Sequence, residues 1–355
     1  DGSMQKIARS FESLGHKVFY IEKPISFFNI ARNWRNIFTI FNRFFSKRTY
    51  SERKNMLIVN PGVFPILGYF INNYRKKYEI KKLNYLKKYD FDIIINYDPL
   101  GDFFLKIFKN YFQDATMIFY NTQDFLETPQ PSFLKKVRLT SISRMYNAKD
   151  NKIIISNPNL NKYGKHDLLL FGGVETDKFK FRIKNIDFKD INVIYHGTFN
   201  VALDYDLIFK IIDSNKDVTF NFLGNIKDTN SKIDKILSLE NVHYLGFVDY
   251  DKVADTISKY DVGFIPYHIN ELTDSVTSLK LYEYLSIGMP VVTTSYSEAI
   301  NNKSKLFFID AGDTFEEACS ISEETLLQNY NVASERSWLT NTKKIIELYE
   351  NIDIK

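Results

Sequence analysis

The sequence predicts an α/β protein of two Rossmann-like, doubly wound parallel-sheet domains, and three observations carry that expectation. At 355 residues the chain is longer than one hydrophobic core usually supports. Its composition, 44% hydrophobic and 25% charged with 14 Gly and 9 Pro, is that of an ordinary globular protein. Short runs that are apolar throughout alternate with longer amphipathic stretches, the pattern of parallel strands buried on both faces and joined by helices.

The runs form two series. The chain opens with a Gly/Ser turn, a helix and a turn at Gly15. The first series of strands is KVFYI (17–21), MLIV (56–59), FDIII (91–95), ATMIFY (115–120), KIIIS (152–156) and DLLLF (167–171). A strand expected ahead of the opening turn is missing, so the given sequence is expected to start inside its domain. The second series is INVIYHG (191–197), DVTFNFLG (217–224), NVHYLG (241–246), YDVGFIP (260–266), PVVTT (290–294) and KLFFI (305–309). The join is expected within 171–187, where paired glycines and mixed charges follow the last strand of the first series. The domains expected are therefore 1–178 and 179–334, with a closing helix over 335–355 that returns toward the first.

Composition also excludes. The single cysteine, Cys319, cannot close an internal disulfide, and no Cys/His cluster has zinc-site spacing, which favours a reducing, cytoplasmic compartment. The longest apolar stretch, GVFPILGYFI (62–71), holds a proline and is too short to span a bilayer. The net charge of +4 hides an asymmetry: residues 1–180 carry 30 Lys and Arg against 16 Asp and Glu, and residues 181–355 carry 17 against 27. The first half is suited to an anionic partner, unless the charge is simply an uneven solvated surface.

One turn concentrates the chemistry. In TSLKLYEYLSIGMPVVTT (277–294) a short helix, capped by Thr277 or Ser278, breaks at Gly288 and runs through Pro290 into a β-branched strand. It follows the strand DVGFIP (261–266) and the loop YHINELTDSV (267–276), so it begins at the carboxyl end of a strand, where open parallel sheets bind ligands. The N–H groups and positive dipole of its first turn favour phosphate. Lys280 would add a full positive charge to a diphosphate, and Glu283, one turn on, would offer acceptor oxygens to a ribose diol. Diphosphate plus ribose describes a nucleotide-sugar; the alternative is an i,i+3 ion pair on a solvated helix face. Asp124 in FYNTQDF (119–125) follows the strand ending at Tyr120 and is the candidate to polarise an acceptor hydroxyl, or else it caps the next turn. Phe247, after HYLG, either lies along a nucleobase or belongs to the core. The histidines His16, His166, His196, His243 and His268 are scattered without metal or triad spacing, and only His196 and His268 sit at strand ends where they could line a site.

The stretch NELTDSVTSLKLYEYLSIGMPVV (270–292) resembles the donor-site signature of GT-B glycosyltransferases of the family 4 type. It is most similar to a bacterial surface-polysaccharide subgroup that includes teichuronic acid biosynthesis transferases. The likeness covers nearly the whole chain. SMQKIARSFESLGHKVFYIE (3–22) resembles the subgroup's opening helix and second strand, and YNTQDF (120–125) its YDCVDD-like segment. NVHYLGFVDYDKVADTISKYDVGFIPY (241–267) resembles the strand, loop and helix before the donor site, and SERSWLTNTKKIIELYE (334–350) the closing helix. The resemblance implies a GT-B fold, with the two domains facing across a cleft, and a hexosyltransferase that uses a UDP- or GDP-linked sugar with no metal and no cofactor. It implies donor contacts from Glu283, Lys280, Ser278, Thr277, Ser275, Glu271, Asn270, Gly197, Thr198 and Phe247. Acceptor contacts would come from Gly2, Ser3 and Gln5, and the chemistry from Asp124.

The sequence departs from the family at three points. Members commonly have two glutamates separated by seven residues; Glu283 fits the second, but Ser275 stands at the first, leaving Asn270, Glu271 or Ser275 to hold the donor sugar. The family's Arg and Lys after the first strand of the second domain are absent from YHGTFNVALDYD (195–206), which leaves Lys280 as the main cation, helped by Thr198 and the backbone at Gly197. Gln123 stands where many members have a histidine. An Asp124 within reach of the acceptor would give inversion, and one that only orients it would leave the family's usual retention.

The surplus of cations points to a membrane. Residues 27–48 mix Phe, Ile and Trp34 with Arg32, Arg35, Arg43, Lys47 and Arg48, and residues 74–89 interleave Lys with Tyr. Such stretches suit an anionic lipid surface, where a lipid-linked acceptor would be presented; single-stranded nucleic acid or helix-on-sheet packing would use the same residues. The expected protein is a glycosyltransferase of bacterial surface polysaccharide synthesis, peripheral at the inner face of the cytoplasmic membrane, with no nucleic-acid partner. Two other readings are a nucleotide-sugar 2-epimerase of the same fold and a basic nucleic-acid-binding or non-catalytic scaffold protein.

Overall fold

The computed structural model describes residues 3–21, 25–26, 51–53, 55–59, 63–64, 84–127, 130–184, 186–228, 230–275 and 277–351. Gly2, the stretch 27–48 and most of 74–89 lie outside the described residues.

The opening helix α1 (Ser3–Ser13) turns at Gly15, φ +92°, into β1 (Val18–Ile21). β1 pairs in parallel with β4 (Met56–Val59), whose other side carries β3 (Ser51–Arg53) antiparallel. β2 (Ile25–Ser26) and β5 (Val63–Phe64) form a separate parallel pair. Next come β6 (Ile93–Asn96), α2 (Asp102–Tyr111), β7 (Thr116–Asn121), α3 (Ser132–Asn147), β8 (Asn151–Ile155) and β9 (Leu168–Leu169). These strands form a four-stranded sheet in the order β6-β7-β8-β9. All six strands expected in the first series are present. The sequence pattern does not show β2, β3 and β5, because strands of two or three residues leave no periodicity to read.

The second series alternates strands with helices, with two helices between its fourth and fifth strands. It runs β10 (Asn192–His196), α4 (Tyr205–Ser214), β11 (Thr219–Leu223), α5 (Lys232–Leu237), β12 (Val242–Gly246), α6 (Tyr250–Ile257) and β13 (Val262–Ile265). It continues with α7 (Glu271–Asp274), α8 (Leu279–Ser286), β14 (Val291–Thr293), α9 (Ser297–Ile300) and β15 (Phe307–Phe308). The chain then adds α10 (Phe315–Cys319), α11 (Glu323–Ser334) and α12 (Trp338–Glu350). The six strands are parallel, in the order β12-β11-β10-β13-β14-β15. That is the Rossmann order, in which the sheet first grows one way from β10 and then the other, so the switch point lies between β10 and β13.

The central strands are buried as their apolar runs require. Phe220 and Phe264 meet Phe315 of α10 at ring-centroid distances of 5.4 and 5.9 Å, and each such buried ring contributes about 1.5–3 kcal/mol. NVHYLG is the exception. Its His243, Tyr244 and Leu245 are exposed, because β12 is the edge of the sheet and has a neighbour on one side alone.

The chain falls into two compact units, one made of Asp1–Phe119, Thr140–Lys152 and Ile345–Lys355, the other of Tyr120–Leu139 and Ile153–Lys344. Among the described residues no helix is long and apolar enough to cross a membrane.

Candidate functional site

Three neighbouring strands, β10, β11 and β12, give way to glycines with positive φ: Gly197 (+135°), Gly224 (+144°) and Gly246 (+71°). The Gly197 N–H donates to Leu223 O and the Gly224 N–H to Gly246 O, both at 2.7 Å. A Cβ on Gly224 would overlap the Gly197 carbonyl, and one on Gly197 would overlap Lys280 Cε and lie 2.9 Å from its Nζ. Bare backbone therefore forms the carboxyl edge of this side of the sheet, and Lys280 lies directly on it.

Lys280 reaches that place from α8. The helix buries Leu281, Tyr282, Glu283, Tyr284 and Leu285 and ends before Gly288, φ +76°. Ser278 is its N-cap, as expected, but the hydroxyl makes no capping bond. The Ser278 N–H instead donates to Glu298 Oε2 of α9 at 2.6 Å, and the Thr277 hydroxyl donates to Ser156 O at 2.9 Å. Neither hydroxyl caps the helix, and a carboxylate from α9, which follows the next strand, holds the Ser278 backbone. Glu298 is buried and also accepts from Tyr282 (2.7 Å) and Arg336 (3.3 Å). Burial pushes its carboxyl up to about 7, against the opposing bonds of Tyr282 and Ser278 and the Arg336 charge.

The Lys280 ammonium donates to the Tyr267 hydroxyl at 2.9 Å and lies 5.5 Å from the ring centroids of Tyr195 and Tyr267. Tyr195 belongs to β10 and Tyr267 follows β13, so the ammonium sits at the switch point. Burial alone would lower its pKa, but Tyr195, Tyr267 and Glu283 beside it outweigh that and hold it above the ordinary lysine range.

Glu283 is 5% exposed, which removes the reading of an ion pair on a solvated face. Its Oε2 lies 2.7 Å from His196 Nε2, and its Oε1 accepts from the Tyr250 hydroxyl at 2.8 Å. His196 is the last residue of β10, and Tyr250 the first of α6. Burial, and then the Glu283 carboxylate, raise the Tyr250 phenol above its ordinary range.

Asp124 is fully buried. Its carboxylate lies 2.5 Å from Lys162 Nζ and accepts from the Tyr163 hydroxyl (2.5 Å) and the Leu126 N–H (3.0 Å). Burial would raise its carboxyl, but Lys162, Tyr163 and Leu126 outweigh that and hold it below the usual carboxylate range. A carboxylate so held is stabilised in its ionised form and has low proton affinity. The Asp124 N–H donates to Ser275 Oγ at 3.3 Å, while Ser275 donates to Leu272 O at 2.8 Å. The position where the family has its first glutamate is therefore tied into the loop between α7 and α8. The same loop is held by Asn157 and Asn159, which donate to Asp274 O at 3.0 and 2.9 Å.

The remaining expected residues divide. Phe247 follows β12 and is 62% exposed, outside the core. Asn270 spends its side chain in a capping box with Thr273, and Glu271 beside it is exposed. Thr198 is half-buried, its carbonyl accepting from the Tyr195 hydroxyl at 3.0 Å. Ser3 opens α1 and Gln5 lies within it, in the other unit. His268 pairs with Asp204 at 3.2 Å. Sequence reasoning missed Tyr250, Tyr267, Glu298 and Lys162. Tyr250, Tyr267 and Glu298 each follow a strand's carboxyl end, and that position was the available signal. Among the described residues no group of three or more His, Cys, Asp or Glu is placed to hold a metal ion.

Residues 190–328 match the family described as Glycosyl transferases group 1. The chain is 30% identical over 100 residues to TuaH of Bacillus subtilis (strain 168), named as a teichuronic acid biosynthesis glycosyltransferase; the match spans 28% of this chain and 25% of that protein. Among solved structures it is similar to the catalytic domain of starch synthase IV from Arabidopsis thaliana bound to ADP and acarbose. There the TM-score is 0.63 at 12% identity, covering 98% of this chain and 94% of that one. It is also similar to Anabaena HepE in complex with UDP and glucose, with TM-score 0.61 and 12% identity over 93% of this chain and 98% of that one. At these identities the likeness is one of fold. The α/β fold is of the GT-B class, and the resemblance read from residues 270–292 holds.

Proposed function

We propose, from the match over residues 190–328 and the side chains gathered at the head of α8, that the chain is a GT-B glycosyltransferase using a nucleoside-diphosphate sugar. The observation that carries this reading is Lys280, whose ammonium rests against Gly197 and Tyr267 at the switch point of a six-stranded Rossmann sheet. The diphosphate is assigned to Lys280, the first turn of α8 and the backbone at Gly197 and Thr198. The ribose goes to Glu283, the base to the exposed ring of Phe247, and the donor sugar to the side of Glu271. Breaking the sugar–phosphate bond leaves negative charge on the departing diphosphate, and a fixed ammonium stabilises it as a metal ion would elsewhere. Metal independence rests on that substitution. Complexes of HepE with UDP and of starch synthase IV with ADP support the donor class.

On the acceptor side, Gly2, Ser3 and Gln5 are the proposed contacts. Asp124, engaged with Lys162, fits a residue that orders the Ser275 loop and leaves retention as the expected outcome. The acceptor is proposed to be a lipid-linked glycan of a bacterial surface polysaccharide, met at the inner membrane face by the basic first half of the chain. Calorimetry with UDP, GDP and ADP tests the donor reading. At least one is expected to bind, and Glu283→Ala to weaken it tenfold or more, about 1.5–3 kcal/mol for bonds to a charged group. Equal binding by both proteins overturns it.

A further inference from the structure

His196 and Tyr250 approach Glu283 from two different elements. His196 closes β10, Tyr250 opens α6, and each meets one oxygen of the same carboxylate, at 2.7 and 2.8 Å. The ring of His196 is itself fixed. It is 6% exposed, its backbone N–H donates to the Tyr284 hydroxyl at 3.0 Å, and the Tyr284 ring stands edge-on to it at 86° and 4.7 Å. Its Nδ1 is buried with no hydrogen-bond partner among the described residues. A proton on Nδ1 would be a buried donor without an acceptor, so the ring carries its proton on Nε2 and donates it to Glu283. Tyr250 is held as firmly, with Phe179 at 5.9 Å and the Lys178 ammonium 5.3 Å from its ring centroid.

We infer that His196 and Tyr250 are positioning residues of the donor site, which hold the Glu283 carboxylate in the one orientation that receives a ribose diol. The inference rests on the donor reading above, and it extends that reading to two residues that need not touch the ligand. A carboxylate turning freely about its last bonds would accept hydroxyls in many directions and distinguish few sugars. One clamped at both oxygens meets the 2′- and 3′-hydroxyls together, so the clamp gives preference for a ribonucleotide over its 2′-deoxy counterpart.

The test measures binding of UDP, GDP and ADP, and of their 2′-deoxy forms, to the wild type and to His196→Ala, His196→Gln and Tyr250→Phe. The wild type is expected to prefer the ribonucleotide by about tenfold or more, the strength of a hydrogen bond to a charged group. His196→Ala and Tyr250→Phe are expected to shrink that preference below about threefold, with His196→Gln restoring part of it because its amide can donate in place of Nε2. The preference is a ratio within one variant, so a partly unfolded variant, which lowers the active fraction for both ligands alike, does not blur it. Variants that keep the wild-type preference overturn the inference and leave the donor reading standing. A wild type that binds no ribonucleotide, or is indifferent to the 2′-hydroxyl, overturns both.

Discussion

Lys280 and Glu298 show how single side chains here answer to burial. The Lys280 ammonium is anchored by Tyr267 and pressed onto Gly197, so its charge is fixed in place before any ligand arrives. Lys280→Met is expected to weaken a nucleoside diphosphate by about 1.5–3 kcal/mol while changing affinity for the bare nucleoside far less; paired titrations of UDP and uridine check this. Glu298 gives a pH signature. Its carboxyl is raised from 4.5 to about 7 in the folded chain, so the fold binds its proton more tightly than the unfolded chain does. Stability from this group is greatest below about 4.5, falls as pH rises to about 7 and then levels, a span of about 3 kcal/mol. Glu298→Gln, a mimic of the protonated form, is expected to flatten the melting temperature over that window, and melting curves at pH 5, 6 and 7 would reveal it. Lys280 and Glu283 were legible from spacing because both lie within one turn of a strand-end helix. Tyr250 and His196 were not, since they come from other elements, and only the folded sheet brings them to Glu283.

Among the elements, the strands of the Rossmann sheet were the most legible. Runs such as VGFI of β13 and VVT of β14 are buried along their whole length because a parallel strand is covered on both faces. The α7–α8 loop was the least legible. It is held by the Asp124 backbone, Ser156, Asn157, Asn159 and Glu298, partners whose sequence distance from it gives no local periodicity. The glycine-ended strands make a sharper prediction. Gly197 combines φ +135° with Lys280 lying where a Cβ would be, so Gly197→Ala is expected to cost about 1–3 kcal/mol and displace the ammonium. Thermal melting and nucleotide titration should both register the change, whereas Gly15→Ala, with open space around its Cβ, should move the melting temperature alone.

For the whole molecule, charge is the property that sequence alone states fully. The surplus of 30 cations over 16 anions in residues 1–180 predicts binding to anionic vesicles that weakens steadily toward about 1 M salt, where the Debye length is about 3 Å; co-sedimentation against neutral vesicles tests it. The sheet order that creates the switch point follows from which strands pair, and no run of residues announces it. A practical matter follows from the anchoring of the α7–α8 loop. Residues 190–328 hold α8, yet Asp124, Ser156, Asn157 and Asn159, which tether the approach to that helix, all precede residue 190. A gene fragment trimmed to the homologous stretch would express a protein missing its own moorings, so any excised module should begin no later than the segment that carries Asp124.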